Sequence, residues 1–265
     1  MVMKKLPNAA EASLGAAIAA LNGDLFESRL HDWLNRCLDI DNVTILAYFQ
    51  DRAPSVIYTQ AADPRVYSEL ENVYIGGAYL LDPFHELHVK RAPRGVYRLR
   101  DIAPDQFHRN PYYTIYYRCT TLIDELTFIS YPGKGVSLHV CLGRDSTSNR
   151  KFSNREIETA QRIAPIAVGL AEVHWSSLSS SGDFKESEVA QRLIDAAKAE
   201  HGVSLSGRQA VVALLILRGH SSTSIGLRLG ISPQTVKVFR KQLYKKCTIS
   251  SQAELFSLMM PLLGR

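Results

Sequence analysis

Between Val203 and Arg265 the chain is punctuated so regularly that few folds remain open to it. Ser206, with Gln209 three residues on, is a capping box, and the helix it opens is expected to run to about Arg218, before Gly219. Ser221 caps a second, short helix that stops at Gly230. Ser232 caps a third, with Pro233 at the first helical position, where its missing N–H costs nothing. Ser250 or Ser251 opens a fourth through "AELFSLMMPLL". A short helix, a turn of about three residues and a cationic helix are the parts of a helix-turn-helix.

The third of these helices lies in "GISPQTVKVFRKQLYKKC", which contains no acid. Val236, Phe239, Leu243 and Cys247 recur at steps of three and four and form a packing face. Gln234, Lys237, Val238, Lys241 and Lys245 fall on another face at the same steps. An α-helix fits the DNA major groove, where Lys and Gln donate to base edges and a small apolar side chain meets a thymine methyl. Phosphate contacts are expected from Thr235, Arg240 and Lys246 and from the amides of the helix start at Ser232. Charge agrees: residues 203–265 hold four Lys and five Arg against one acid, Glu254, a balance of +8 in a chain whose total is +5. A basic domain on a mildly acidic body calls for a polyanion, double-stranded DNA first.

The run "LSGRQAVVALLILRGHSSTSIGLRLGISPQTVKVFRKQLYKKCTISSQAEL" closely resembles the LuxR/FixJ-type DNA-binding domain. The pattern is carried by Leu205, Arg208, Gly219, Ser221, Ile225, Leu229, Ile231, Ser232, Thr235, Val236, Lys237, Val238, Arg240, Ala253, Glu254 and Leu255. The resemblance implies a four-helix domain that binds DNA as a dimer, with Thr235, Lys237, Val238 and Lys241 facing the groove. The sequence departs at Val211, Phe239, Gln252 and Cys247, where the family usually has Glu, His, Arg and Leu. None of the four lies on the expected base-reading face.

Upstream, Leu30, Trp33, Leu34, Cys37 and Leu38 share one helical face. "NVTILAYF" and "SVIYTQ" read as strands around the turn "QDRAP", and "ELTFISYP" and "GVSLHVCLG" as a second hairpin turning at "GKG". "SNREIETAQRIAPIAVGLAEVHW" is a long helix capped by Ser153, with Glu156 at the capping-box position. The expected class is α+β, an antiparallel sheet flanked by helices as in PAS and GAF sensors, joined to the all-α four-helix domain. The serine-rich "HWSSLSSSGDFKESE" reads as a linker, followed by an amphipathic helix with Val189, Leu193 and Ala196 or Ala197 on one face and ending at Gly202. Hence the expected division is a small-molecule sensor over 1–175, a linker and connecting helix over 176–202, and the DNA-binding domain over 203–265.

The irregular middle, Val73 to Leu126, concentrates tyrosines around acids. Tyr74, Tyr79, Asp82, Phe84, Tyr97, Tyr113, Tyr117, Asp124 and Glu125 are the candidate effector contacts, since hydroxyls and a carboxylate can fix a small ligand. A carboxylate within an aromatic cage suits a small amine. The segment "DPFHELHVKRAPRGVYRLRDIAPDQF", with "PYYTIYYRCTTLIDEL", resembles the sensor half of solo LuxR-type metabolic regulators. Asp82-Pro83 with Tyr97 fifteen residues on also resembles the autoinducer-binding domain of quorum-sensing LuxR receptors, whose aspartate binds the acyl-homoserine lactone amide. Trp33 and Trp175 do not fall where that family places its tryptophans. A third alternative stays open, an orphan regulator whose N-terminal domain only dimerises or binds a protein.

Other classes lack their signatures. No GxxxxGK[ST] is present, and Gly-Lys-Gly is a hairpin turn. Cys37, Cys119, Cys141 and Cys247 are scattered, and His85, His88 and His108 are completed by no cysteine, so no metal or cofactor is expected. No motif supplies a base or oxyanion donor for Ser130, Cys119 or Cys141, so no enzyme is expected. No run of eighteen apolar residues exists, and Glu11 interrupts the Ala-rich start, which argues against a secretion signal. The expectation is a cytoplasmic homodimeric regulator without a membrane partner, its contact with RNA polymerase left open.

Overall fold

The computed structural model describes residues 10–50, 52–110, 112–180 and 186–263. The lysines of the start and part of the serine-rich linker, residues 181–185, lie outside the described residues. The chain forms two compact units. The first comprises residues 1–66, 90–101 and 121–183, and the second residues 67–89, 102–120 and 184–265. Each unit therefore draws on more than one of the divisions expected from the sequence.

The first unit is built on five antiparallel strands in the order β2-β1-β5-β4-β3, with β1 Asn42–Phe49, β2 Ser55–Ala61, β3 Gly95–Arg98, β4 Leu122–Ser130 and β5 Val136–Asp145. This is the helix-flanked antiparallel sheet that the alternating patterns predict, with β3 as an addition. One face carries Val43, Ile45, Ala47, Leu126, Phe128, Leu138, Val140 and Leu142 into the core. Helices α1 (Ala10–Ala19), α2 (Phe26–Leu38) and α5 (Asn154–His174) complete that side. The capping box of α5 forms as read: Ser153 Oγ accepts from the Glu156 amide, and Glu156 accepts from the Ser153 amide.

Trp33 and Trp175 both sit in this core, and Phe26 stacks on His174 at 4.0 Å. Gly143 is fixed by close approach, because a Cβ there would collide with the Asn42 amide. At the same end of the sheet the buried Arg144 meets Glu156 at 2.6 Å and donates to the Leu38 carbonyl at 3.1 Å. The start of the serine-rich stretch is packed rather than free. Trp175 is buried, and the Ser180 amide donates to the Lys134 carbonyl at the hairpin turn.

Residues 64–81, of the second unit from Tyr67 on, form successive 3₁₀ and π turns before the short helix α3 (Pro83–Val89). A second set spans 107–109 and 112–120, after the one-turn α4 (Leu99–Ile102). The rest is helical: α6 Glu186–His201, α7 Gly207–Leu217, α8 Ser222–Leu229, α9 Pro233–Cys247 and α10 Gln252–Leu263. Every expected cap is found, with Ser251 rather than Ser250 accepting from the Glu254 amide at the start of α10. Gly230 takes the left-handed conformation, φ +64°, that ends α8. The apolar α7 is surrounded, and residues 212–220 are all buried.

Candidate functional site

The basic helix α9 separates its two faces as its periodicity requires. Val236, Leu243 and Cys247 are buried against the other helices, and Phe239 is half-buried. Ser232, Gln234, Thr235, Lys237, Lys241 and Lys245 are exposed, and Val238 is 47% exposed, an open position for an apolar side chain that suits contact with a methyl group. Ser232 Oγ accepts from the Thr235 amide at 3.0 Å, so the cap orders the first turn. Arg240 lies against Tyr244, its Nε 3.2 Å from the hydroxyl. Lys246 is exposed but tied down: Nζ donates to the Ser204 carbonyl at 2.7 Å and to Gln209 at 3.0 Å. It fastens α9 to the start of α7 instead of standing free for a phosphate.

The tyrosine-rich residues divide between the units. In the second, Asp82 is the hub. Tyr74 donates to its Oδ2 at 2.6 Å, the Phe84 amide to its Oδ1 at 2.8 Å, and Tyr112 hydrogen-bonds it as well. Desolvation outweighs these bonds and pushes the carboxyl up to about 6. Tyr74 stacks with Tyr116 at 5.8 Å, Tyr79 meets His85 edge-on at 5.1 Å, and Tyr113 stacks with Tyr117 at 5.3 Å. Phe84 is buried beside this hub, on the first turn of α3.

Tyr97, Asp124 and Glu125 belong to the first unit. Tyr97 donates to the Pro93 carbonyl at 2.6 Å. Asp124 is buried in an ion pair with Arg98, at 2.6 Å, and accepts from the Phe152 amide. Its carboxylate is thus a fastening of the sheet. Glu125 is half-buried on β4.

A further set of polar groups, of which the sequence singles out only Cys141, lies on the other face of the same sheet. Tyr48, Thr127, Ser137, His139 and Cys141 are all buried there. His139 Nε2 lies 3.1 Å from Ser137 Oγ, and its ring is 4.4 Å from that of Tyr48. Thr127 donates to Cys141 Sγ at 3.2 Å. The signal was present as strict alternation in β5, where Ser137, His139 and Cys141 interleave with Val136, Leu138, Val140 and Leu142. Among the described residues no group of three or more His, Cys, Asp or Glu is placed to hold a metal ion, and no helix is long and apolar enough to cross a membrane.

A capped helix-turn-helix with an exposed, acid-free reading helix, carried by a chain that also has a helix-flanked antiparallel sheet, defines a DNA-binding regulator with a separate input region. Residues 203–259 match the family of bacterial regulatory proteins, luxR family. A protein of Aeromonas salmonicida named as an HTH-type transcriptional regulator in the exeN 3′ region is 31% identical over 186 residues, 68% of this chain and 93% of that protein. The chain belongs to the LuxR family of helix-turn-helix transcriptional regulators. The crystal structure of the VqsR LBD domain from Pseudomonas aeruginosa is similar to 63% of this chain and 97% of its own, at 26% identity and a TM-score of 0.53. Escherichia coli SdiA covers 96% of the chain at 14% identity, with a TM-score of only 0.41.

Proposed function

We propose that this regulator binds a dyad operator as a homodimer and answers to a small metabolite held by its N-terminal region, without catalysing a reaction. Operator binding rests on the exposed Gln234, Lys237, Val238, Lys241 and Lys245 of α9. The single observation that carries the effector reading is Asp82, a desolvated carboxylate at the centre of a tyrosine cluster. A carboxylate whose pKa stands at about 6 is ionised at neutral pH, held out of bulk water, and suited to a small amine. The likeness to a domain named as an LBD supports an effector in this part of the chain.

The test is a thermal-shift screen of the full chain against small amines and amino acids and, separately, acyl-homoserine lactones. A ligand at a hundred times its Kd adds about 2.7 kcal/mol, a midpoint shift of roughly 5–10 °C. An amine hit whose affinity rises as pH increases through about 6 supports the reading, because Asp82 must be ionised to pair with a cation. A hit confined to the lactones favours the second reading, for which the spacing of Asp82, Pro83 and Tyr97 speaks. Silence in both panels from the folded chain would replace the metabolite by a protein partner.

A further inference from the structure

Within the second unit, the corner joining α7 to α8 is gripped by two segments far away in sequence. Arg218 Nε donates to the Leu80 carbonyl at 3.0 Å, Asn110 Nδ2 to the Leu217 carbonyl at 2.9 Å, and the Gln106 amide to the Gly219 carbonyl at 3.1 Å. Gly219 has φ +90°, and a Cβ there would come within 3.0 Å of the Phe107 Cα. The fit is therefore backbone to backbone. Two acids complete it. Asp105 Oδ1 accepts from the amide of Ser221, the cap residue of α8, at 3.1 Å, and Glu86 pairs with Arg228 of α8 at 2.6 Å.

In a helix-turn-helix the first helix crosses the DNA backbone, and helix N-termini and arginines are the usual donors to phosphate. A carboxylate and a phosphate cannot share one amide donor, and like charges at that distance repel. We propose that residues 80–86 and 105–110 form an intramolecular clamp that holds α8 through Asp105 and Glu86, and that the clamp and operator DNA are alternative partners of α8. The reading face of α9 stays exposed, so the clamp weakens anchoring on the backbone and does not cover the base-reading side chains.

The clamp is continuous with the Asp82 hub. Leu80, whose carbonyl takes Arg218, is two residues from Asp82, which Tyr74 and Tyr112 hold. Asn110, which reaches Leu217, also accepts from the Tyr113 amide at 2.9 Å. A ligand that rearranges this hub moves both jaws at once, which gives the proposed effector a physical route to the DNA-binding helices. The inference rests on the reading that α8 and α9 engage DNA.

The experiment compares the full chain with Asp105→Asn, Glu86→Gln and the double variant, all nearly isosteric. Two quantities are read: affinity for the duplex that the wild type selects from a random-sequence library, and deuterium exchange in peptides over 217–229. The clamp predicts faster exchange and DNA binding about ten-fold tighter in the double variant, equivalent to about 1.4 kcal/mol. Unchanged exchange, or faster exchange with equal or weaker DNA binding, overturns the clamp and leaves the DNA reading intact. If neither wild type nor variants select any duplex, the DNA reading falls and the clamp with it.

Discussion

Single side chains carry the sharpest consequences. Lys237 and Lys241 are exposed on α9. Lys237→Ala and Lys241→Ala should each lower operator affinity about five-fold or more, at roughly 1–3 kcal/mol per base contact, with an unchanged melting temperature. Fluorescence anisotropy beside a thermal melt checks this, and unchanged affinity in both would refute the assignment. Two buried groups make stability depend on pH with opposite signs. His220 is lowered to about 4 by burial and then by Arg228, and its Nε2 is buried without a hydrogen-bond partner among the described residues. Between about 4 and its ordinary 6.5 the unfolded chain binds a proton that the folded chain does not, so stability rises with pH there. Asp82 is raised to about 6, so from its ordinary 3.8 to about 6 the folded chain holds the extra proton and stability falls as pH rises. Each effect is on the order of 2–3 kcal/mol, and the two largely cancel near pH 5 in the wild type. Asp82→Asn should leave a chain that gains stability as pH rises from about 4 to 6.5. His220→Gln should leave one that loses stability over nearly the same interval. Urea midpoints at several pH values decide it, and variant curves parallel to the wild type would sink both assignments.

At the scale of elements, two glycines of the DNA-binding region separate local strain from a tertiary fit. Gly230 and Gly219 both have positive φ, but a Cβ at Gly230 meets open space, whereas one at Gly219 meets the Phe107 backbone. Gly230→Ala should cost about 1–2 kcal/mol, the ordinary left-handed penalty. Gly219→Ala should cost distinctly more, because main chain must move. Equal losses in urea titrations would mean that Phe107 is not held there. The contrast also marks what the sequence could and could not reveal. The caps at Ser153, Ser206, Ser221 and Ser232, the stops at Gly202 and Gly230 and the two faces of α9 follow from residues within four of one another, so they were legible. The strand order, the place of β3 and the partners of Gly219 depend on contacts from about thirty to more than a hundred residues apart, which no local period encodes. Asp82 was legible as a candidate because tyrosines crowd its neighbourhood in sequence. Asp124 stands out for the same reason, and its pairing with Arg98, 26 residues away, was not legible. The buried Ser137 and His139 were overlooked because a strand with alternating apolar residues reads as core whatever its other face carries.

For the whole molecule the governing quantity is the uneven charge, +8 over residues 203–265 in a chain of net +5. Each phosphate neutralised by a Lys or Arg releases condensed counterions, so log affinity should fall linearly with log salt, by about 0.9 per contact. The structure sorts the cations that take part from those that do not. Both Lys245 and Lys246 are exposed, but Lys246 is bonded to Ser204 and Gln209, whereas Lys245 stands at the C-terminal end of the reading helix, away from the N-terminal residues that meet base edges and so placed for a phosphate. Lys245→Ala should therefore flatten the salt slope. Lys246→Ala should leave the slope nearly unchanged and instead loosen the junction of α7 and α9, seen as a lower melting temperature. The same slope counts subunits. In a homodimer on a dyad every substitution is made twice, so Lys245→Ala should reduce the slope by about 1.8, against about 0.9 for one subunit. Titrations of the selected duplex over about 50–200 mM salt distinguish these values. A change near 0.9 would mean that one reading helix engages the DNA at a time, and the dyad would then have to be given up while DNA binding itself stood.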